Sequence, residues 1–213
     1  MSTKNHPGFG REDLQLLAEE VGYKGFFRLL RLRLRHKLFA GGWSEEITRE
    51  LFDRGHAVAV LPYDPVRDEV VLVEQFRVGA VYAEGSPWLL EVVAGIVEEG
   101  ESEEEVVRRE AQEEAGLTLN KLTRVMSYFS TPGGCSERIT VFIGEVDASQ
   151  AASHAGLDSE SEDIRVHRLP RELAMQWLAE GKIDNATSII ALQWLELHRF
   201  KSDRLKANNK DCF

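Results

Sequence analysis

The segment from Gly95 to Leu117, GIVEEGESEEEVVRREAQEEAGL, constrains the fold of this chain more than any other part of the sequence. Its second half carries the signals of a single helix. Ser102 is suited to cap the N-terminus, and Glu105, three residues later, completes a capping box. Gly116 stands where helices favour a left-handed residue at their C-terminal end. We therefore predict a helix that begins after Ser102 and ends before Gly116.

Three glutamates on this predicted helix are spaced so that they share one face. Glu113 and Glu114 lie three and four residues after Glu110, a spacing that brings side chains together on a helix surface. Carboxylates grouped in this way raise one another's pKa unless a cation neutralises them. Oxygen ligands without nearby Cys or His favour a hard cation, Mg²⁺ first and Mn²⁺ second. A solvated acidic face is the alternative, but it does not account for the two glycines, Glu101 and Arg109 at fixed offsets.

The same spacing resembles the Nudix box, the motif of Mg²⁺-dependent hydrolases that act on a nucleoside diphosphate linked to another group. All nine positions of the motif match, with Ala111 as a small apolar residue at one of them. The resemblance implies a loop-helix-loop in which Glu110 and Glu114 are the principal metal ligands and Glu113 is an auxiliary one. It also implies a metal ligand from the backbone carbonyl of Ala94.

Composition narrows the class of protein further. A chain of 213 residues with 43% hydrophobic content can bury one core and a small appendage. The net charge of -10 argues against general nucleic-acid binding. The sequence has no apolar run long enough for a membrane span and no apolar signal-peptide core. Cys135 and Cys212 show neither a disulfide framework nor metal-ligand spacing. We expect a cytoplasmic protein with neither nucleic acid nor membrane as a partner, and the resemblance implies a small nucleotide substrate.

The N-terminal region predicts a small sheet. Residues 1–22 are polar, with a short helix predicted around Leu14–Val21. The following stretch, FRLLRLRLRHKLF, alternates leucine with arginine and predicts a half-buried strand with one basic face. Glu45–Phe52, after a Gly-Gly turn, is its predicted hairpin partner. The basic stripe is either a solvated face matched by cross-strand glutamates or a phosphate-binding patch. So small a sheet is seldom stable alone, so we expect it to dock on the main domain or on another subunit.

The rest of the chain predicts an α/β unit. Strands are predicted at Ala57–Leu61, Val70–Phe76, Val125–Phe129, Ile139–Val146 and Ile164–Leu169, with a turn that starts at Pro62–Pro65. The segment Trp88–Val93 leads directly into the box. Two helices follow, Arg171–Glu180 and one from Asn185 to Arg199 that Asp184 can cap. The predicted organisation is an N-terminal β-sheet and dimerisation region at 1–54, a hydrolase domain at 55–200 and a polar tail at 201–213.

Further residues narrow the resemblance to the ADP-ribose pyrophosphatase branch of the Nudix family. Pro132 lies fifteen residues after Leu117, an offset that marks this branch. The segment 54–77, RGHAVAVLPYDPVRDEVVLVEQFR, is similar to that branch, and so is the loop at 131–134, although Thr131 replaces the commoner serine. The similarity covers about Tyr23 to Phe200. It implies a Nudix fold, a mixed β-sheet sandwiched between helices, with a small N-terminal antiparallel β-sheet domain. It also implies a homodimer with exchanged N-terminal sheets and shared active sites.

The resemblance implies hydrolysis of ADP-ribose to AMP and ribose 5-phosphate, with Mg²⁺ between the glutamates and the diphosphate. The implied substrate-binding residues are Arg49, Glu50, Arg54, Arg77, Ile96, Thr131, Pro132, Gly133 and Glu137. Phe26 or Phe27 of the partner subunit is the predicted stacking surface for adenine, with core packing as the alternative. Arg77 could instead be a charge at a strand edge, and Arg49 and Arg54 could form intersubunit ion pairs.

A general base must reach the attacking water, and the box glutamates are occupied with metal. The acidic loop GLDSESEDIRVH is the predicted source, because loops of this length are often functional lids. The family match places the base at Glu160 and a further metal-proximal carboxylate at Glu162. The alternation of acidic residues leaves the register open between these two positions.

Two other functions compete with ADP-ribose hydrolysis. Specificity depends on side chains outside the box, so another nucleoside diphosphate sugar or a dinucleotide is an alternative substrate. A different class is a Nudix-like ADP-ribose sensor that binds without cleaving. Sensors of this kind usually lose box glutamates and carry a DNA-binding appendage. The glutamates are present here, and the sequence shows no basic helix-turn-helix stretch.

Overall fold

The computed structural model describes residues 8–157, 159 and 161–208. The chain divides into two compact units. The first comprises Met1–Gly55 together with Phe129–Glu137, and the second comprises His56–Tyr128 together with Arg138–Phe213. The first unit therefore includes a loop that follows the box in sequence. The assignment of the N-terminal region to dimerisation stays a prediction.

The first unit contains an antiparallel sheet of three strands within the described residues, in the order β1-β2-β3. Its strands are β1 (Leu14–Lys24), β2 (Arg28–His36) and β3 (Ile47–Asp53). The helix predicted at Leu14–Val21 is wrong, because these residues belong to β1. Leucine, glutamine and glutamate favour a helix locally. Pairing along the whole of β2 overrides that preference, from Leu14 opposite His36 to Lys24 opposite Arg28.

The basic stripe of β2 is matched by acidic neighbours. Arg31 lies opposite Glu20 of β1 and opposite Glu50 of β3. The guanidinium of Arg33 donates to Glu46 at 2.9 Å. Cross-strand pairs of opposite charge stabilise a sheet modestly. The contacts therefore agree with a solvated face rather than with a phosphate-binding patch.

The second unit is built on an eight-stranded mixed sheet, counted over the part of the chain that the structure describes. The strand order is β10-β11-β5-β4-β9-β8, with β6 paired to β5 and β7 paired to β4. The pairing of β4 with β9 is parallel, and the other pairings recorded for this sheet are antiparallel. The bounds are β4 His56–Asp64, β5 Glu69–Phe76, β6 Trp88–Glu91, β7 Val93–Val97, β8 Leu122–Phe129, β9 Arg138–Glu145, β10 His154–Ala155 and β11 Ile164–Pro170.

Helices cover both faces of this sheet. Successive residues of β4 alternate between two cores, as strand geometry requires: Val58 and Val60 pack with α1 (Glu103–Ala115). Ala59 and Leu61 pack on the other face with α2 (Arg171–Ala179) and α3 (Ala186–Asn208). The predicted fold class, a mixed sheet between helices with a small antiparallel sheet before it, is confirmed. Across the described residues, no helix has the length and apolar character that a membrane crossing requires.

Several predicted boundaries differ from the observed ones. The turn predicted at Pro62–Pro65 begins later, because β4 continues to Asp64. The segment Trp88–Val93 contains all of β6 and the first residue of β7, because the chain changes pairing partner from β5 to β4 at this point. The cap of α3 is Asn185 rather than Asp184, since the Asn185 side chain accepts a bond from the Ser188 N–H at 3.1 Å. The same helix continues past the predicted end to Asn208.

Candidate active site

The caps of α1 fix where the box glutamates lie. The Ser102 hydroxyl accepts a hydrogen bond from the Glu105 N–H at 3.3 Å, and the Ser102 N–H donates to the Glu105 carboxylate at 3.0 Å. This is the predicted capping box. Gly116 ends the helix with a φ of 66°, in the left-handed region. The predicted helix is therefore confirmed, and its caps set which residues face the sheet.

Strand β7 runs close to the box glutamates. The Ala94 N–H donates to Glu114 Oε2 at 3.1 Å. A Cβ built on Gly95 would overlap the carboxyl group of Glu110. The strand and the helix can approach so closely only because position 95 has no side chain. The first glycine of the box thus leaves room for one of its predicted metal ligands.

The box glutamates are buried to different degrees. Glu114 is 3% exposed, whereas the side chains of Glu110 and Glu113 are 14% and 28% exposed. Burial raises the pKa of Glu114 to about 8, an effect that the Ala94 hydrogen bond opposes and the charge of Glu110 increases. Burial also raises the pKa of Glu110 to about 7, against the influence of Arg109. A cation at this position would favour the ionised form of both carboxyl groups.

Arg109 is the cation nearest to two of these carboxylates. Its Nη1 lies 2.8 Å from Glu110 Oε1 and 2.9 Å from Glu113 Oε2. Its Nε lies 3.7 Å from Glu101. Arg109 therefore neutralises part of the charge that a metal ion would balance. The sequence placed this arginine within the motif but gave it no role.

The donor set fits a hard divalent cation. Glu110, Glu113, Glu114 and the carbonyl of Ala94 offer only oxygen atoms, the ligands that Mg²⁺ prefers. The Glu110 carboxyl group lies against Gly95, and its charge adds to the effect of burial in raising the pKa of Glu114. Among the described residues, no three Asp, Glu, His or Cys side chains already form a metal-binding group. Arg109 bonds to two of the four candidates instead.

Two further predicted residues lie near the box. The positive charge of Arg77 lowers the pKa of Glu114, and the negative charge of Glu162 raises it. Arg77 Nε also donates to the Glu91 carboxylate at 2.5 Å. The loop that carries Glu162 is tied to α1, because the Gly156 N–H donates to the Glu113 carbonyl at 3.2 Å. Glu160, the predicted base, lies outside the described residues.

Another group of predicted residues meets within the first unit. Arg54 Nε lies 3.2 Å from Glu137 Oε1. The Arg54 guanidinium stands over the Phe27 ring, 4.9 Å from its centre. Phe27 also makes an edge-to-face contact with Phe52, and its stacking on adenine stays a prediction. Phe26, in contrast, is 88% exposed.

The remaining predicted residues lie in β3, in the loop at 131–134 and in β7. Arg49 donates to the Thr48 carbonyl at 2.8 Å, and Glu50 follows it in β3, so their side chains leave opposite faces of the sheet. The Thr131 carbonyl accepts bonds from Gly134 and Cys135, which closes a tight turn around Pro132 and Gly133. Ile96 lies in β7 opposite Ala57.

Sequence analysis missed the partners that hold predicted residues in place. Glu91, which binds Arg77, was not predicted as a site residue. The connection between β5 and β6 is long, so the sequence does not predict which residues of the two strands pair. Asn185 and Ser188 were also missed as contacts of the β6–β7 connection. The only signal was the suitability of asparagine as a helix cap.

Comparison with known proteins identifies the class. Residues 53–212 match the family described as NUDIX domain. The ADP-ribose pyrophosphatase of Escherichia coli strain K12 is 57% identical over 190 residues, which cover 89% of this chain and 91% of the relative. The ADP-ribose pyrophosphatase of Haemophilus influenzae is 52% identical over 193 residues, 89% of each chain. A crystal structure of an ADP compounds hydrolase shares the fold, with a TM-score of 0.70 and 20% identity over 90% of this chain and 97% of that one.

This chain belongs to the Nudix family and is a hydrolase. The predicted family and the predicted enzyme class are thereby confirmed. The similarity to the ADP-ribose pyrophosphatase branch, predicted from Pro132 and from residues 54–77, is confirmed by the two relatives that carry that name.

Proposed function

We propose that this enzyme hydrolyses the diphosphate of ADP-ribose in a Mg²⁺-dependent reaction that yields AMP and ribose 5-phosphate. The observation that carries the chemistry is the close approach of β7 to α1, where the Ala94 N–H donates to the Glu114 carboxylate and Gly95 leaves room for the Glu110 carboxyl group. The names of relatives more than half identical to this chain support ADP-ribose as the substrate.

Ala94, Glu110, Glu113, Glu114 and Glu162 are the proposed metal-binding residues. When bound, Mg²⁺ supplies positive charge to the diphosphate and lowers the pKa of its bound water. Binding requires the carboxyl groups of Glu110 and Glu114 to ionise, so it releases protons wherever those groups are still protonated. Mn²⁺ is the proposed substitute, because it takes the same oxygen ligands.

Other residues are proposed to bind the substrate and to move its proton. Arg77 provides a guanidinium group near Glu114 for phosphate oxygens. Glu137 and Phe27 hold Arg54 in one orientation, as recognition of a polar ligand requires. Glu160 remains the proposed general base. The other proposed substrate contacts are Phe26, Arg49, Glu50, Ile96, Thr131, Pro132 and Gly133.

The proposal includes a homodimer in the cytoplasm. Strand β1 exposes large apolar side chains, among them Leu16, Val21 and Tyr23. Exposed apolar clusters of this kind mark interaction surfaces. A second copy of the chain is the proposed partner, and Phe26 would then reach the active site of the other subunit. The cysteine pattern supports a reducing compartment.

Product analysis after incubation with ADP-ribose tests this function. Purified protein is mixed with ADP-ribose, ADP-glucose or NADH, with Mg²⁺ or with EDTA, and the products are separated by chromatography. We expect AMP and ribose 5-phosphate from ADP-ribose in the presence of Mg²⁺, at a higher kcat/KM than for the other two substrates. Preferred turnover of another nucleotide would refute the substrate, and tight binding of ADP-ribose without products would refute catalysis in favour of a sensor.

A further inference from the structure

The first turn of α3 holds the connection between β6 and β7. The side-chain amide of Asn185 donates to the Leu90 carbonyl at 2.7 Å. The Val92 N–H donates to the hydroxyl of Ser188 at 3.0 Å, and Ser188 is fully buried. Two side chains of one helical turn thus fix two points of the connection. We call this pair, Asn185 and Ser188, the α3 clamp.

The clamp acts where the chain changes pairing partner. Glu91 pairs with Val73 of β5, whereas Val93 pairs with Val60 of β4. Val92 lies between the two strands, and its N–H uses a side chain of α3 as acceptor. Buried backbone donors need such a partner, because a buried N–H without one has lost its hydrogen bond to water and destabilises the fold. The direction in which β7 begins therefore depends on the clamp.

Two residues beyond Val92, the chain reaches the proposed metal site. The Ala94 N–H donates to Glu114 Oε2 at 3.1 Å, which sets the Ala94 peptide against that carboxylate. The next residue, Gly95, passes so near Glu110 that a Cβ would overlap its carboxyl group. A small displacement of β7 would therefore change the spacing of three proposed metal ligands.

We infer that Asn185 and Ser188 are positioning residues for metal binding: they orient the Ala94 peptide relative to Glu114 from outside the box. The inference rests on the proposed function, because Ala94 and Glu114 are proposed metal ligands. Residues that orient metal ligands typically contribute 10–100-fold to metal affinity or activity. Such residues usually contact the metal ligand itself, whereas the α3 clamp acts on Ala94 through the start of β7.

Asn185 performs two tasks that one substitution can separate. Its Oδ1 accepts from the Ser188 N–H at 3.1 Å and caps α3, while its Nδ2 donates to Leu90. Asn185→Asp keeps an equally good cap but removes the donor. It also brings a carboxylate oxygen towards a carbonyl oxygen. We therefore expect Asn185→Asp to preserve the helix and to release the Leu90 end of the clamp.

A matched control is present in the same helical turn. The Thr187 hydroxyl lies 2.7 Å from the Tyr128 hydroxyl, on β8 rather than on the β6–β7 connection. Thr187→Val removes a hydrogen bond from α3 and leaves both clamp contacts in place. Any loss of stability that follows from weakening the first turn of α3 should appear in this variant as well.

The experiment measures Mn²⁺ binding by electron paramagnetic resonance without substrate, in the wild-type protein and in the variants Asn185→Asp, Ser188→Ala, Thr187→Val and Glu114→Gln. We expect Asn185→Asp and Ser188→Ala to raise the Mn²⁺ dissociation constant about tenfold, and Thr187→Val to leave it unchanged. The Mg²⁺ concentration for half-maximal activity should rise in parallel, while KM for the substrate at saturating Mg²⁺ stays near the wild-type value.

Two outcomes would overturn the inference, and they are distinguishable. Wild-type Mn²⁺ affinity in Asn185→Asp would show that the clamp does not position the metal ligands; this variant decides the question if Ser188→Ala fails to fold. Wild-type protein that binds Mn²⁺ no more tightly than Glu114→Gln does would instead refute the proposed metal site itself.

Discussion

Gly95 and Glu110 constrain each other because β7 and α1 approach so closely that only glycine fits. The same approach brings the Ala94 N–H to Glu114. Each box residue therefore has a local reason for its identity: the glycine makes room, the glutamates supply oxygen ligands and Arg109 balances charge between two of them. The glutamates were predictable because their spacing along one helix places them on one face. The room made by Gly95 depends on a contact between a strand and a helix, and the role of Arg109 was not predicted.

Substituting the box glycine tests this close approach. We expect Gly95→Ala to reduce kcat by about 100-fold or more, because the added methyl group displaces Glu110, a proposed metal ligand. Steady-state kinetics at saturating Mg²⁺ and circular dichroism would measure activity and folding. Gly79→Ala is the control, since its Cβ would meet nothing within 4 Å. Wild-type activity in Gly95→Ala would contradict the assigned role of the glycine.

Between elements, the contacts that matter join segments far apart in sequence. Asp64 at the end of β4 is an example, because it accepts a bond from the Ala148 N–H on a distant segment, in addition to bonds from the neighbouring Val66 and Arg67 N–H groups. It also pairs with the Arg67 guanidinium at 2.9 Å. Burial alone would raise the pKa of Asp64, but these hydrogen bonds outweigh it and lower the pKa to about 2.

The lowered pKa of Asp64 predicts a pH-dependent contribution to stability. The ionised carboxylate should contribute about 2 kcal/mol above the unfolded-state pKa, and this contribution is lost as the pH falls from near 4 through about 2. Urea unfolding should show Asp64→Asn less stable than wild type at pH 7, with a smaller difference at pH 3. The exposed Asp184→Asn is the control. A difference that does not depend on pH would contradict the assigned pKa.

An element could be predicted from sequence when the contacts that define it are local in sequence. The helix α1 was predictable because its caps, Ser102 and Gly116, are local. The strand β1 was not, because its backbone partners lie in β2 and its own residues favour a helix. The change of strand-pairing partner at Val92 was not predictable for a similar reason, because the Val92 N–H donates to Ser188, which lies on another element.

For the whole molecule, the exposed apolar residues of β1 are a feature that the single chain does not explain. Leu16, Val21 and Tyr23 are exposed on a strand that pairs with β2. The proposed homodimer would cover these side chains. It would also bring Phe26 of one subunit to the active site of the other, so assembly and activity would be linked.

A charge placed on β1 tests the proposed dimer. We expect Val21→Glu to shift the protein from dimer to monomer and to lower its activity, because burying an unpaired charge in an interface is costly. Sedimentation velocity would measure the mass. The control is Gln15→Glu, which adds the same charge at an exposed polar position of the same strand. A wild-type protein that sediments as a monomer would refute the dimer.

The central claim is that buried glutamates of α1 hold the metal that hydrolysis requires. Steady-state hydrolysis of ADP-ribose across Mg²⁺ concentrations, in wild type and in Glu114→Gln, tests it most directly. Glu104→Gln, an exposed neighbour on the same helix, is the control. We predict that Glu114→Gln stays folded and loses more than about 100-fold in kcat. Changing a residue that only orients a metal ligand costs up to about 100-fold, so loss of a ligand should cost more. Retained turnover in Glu114→Gln would contradict the account.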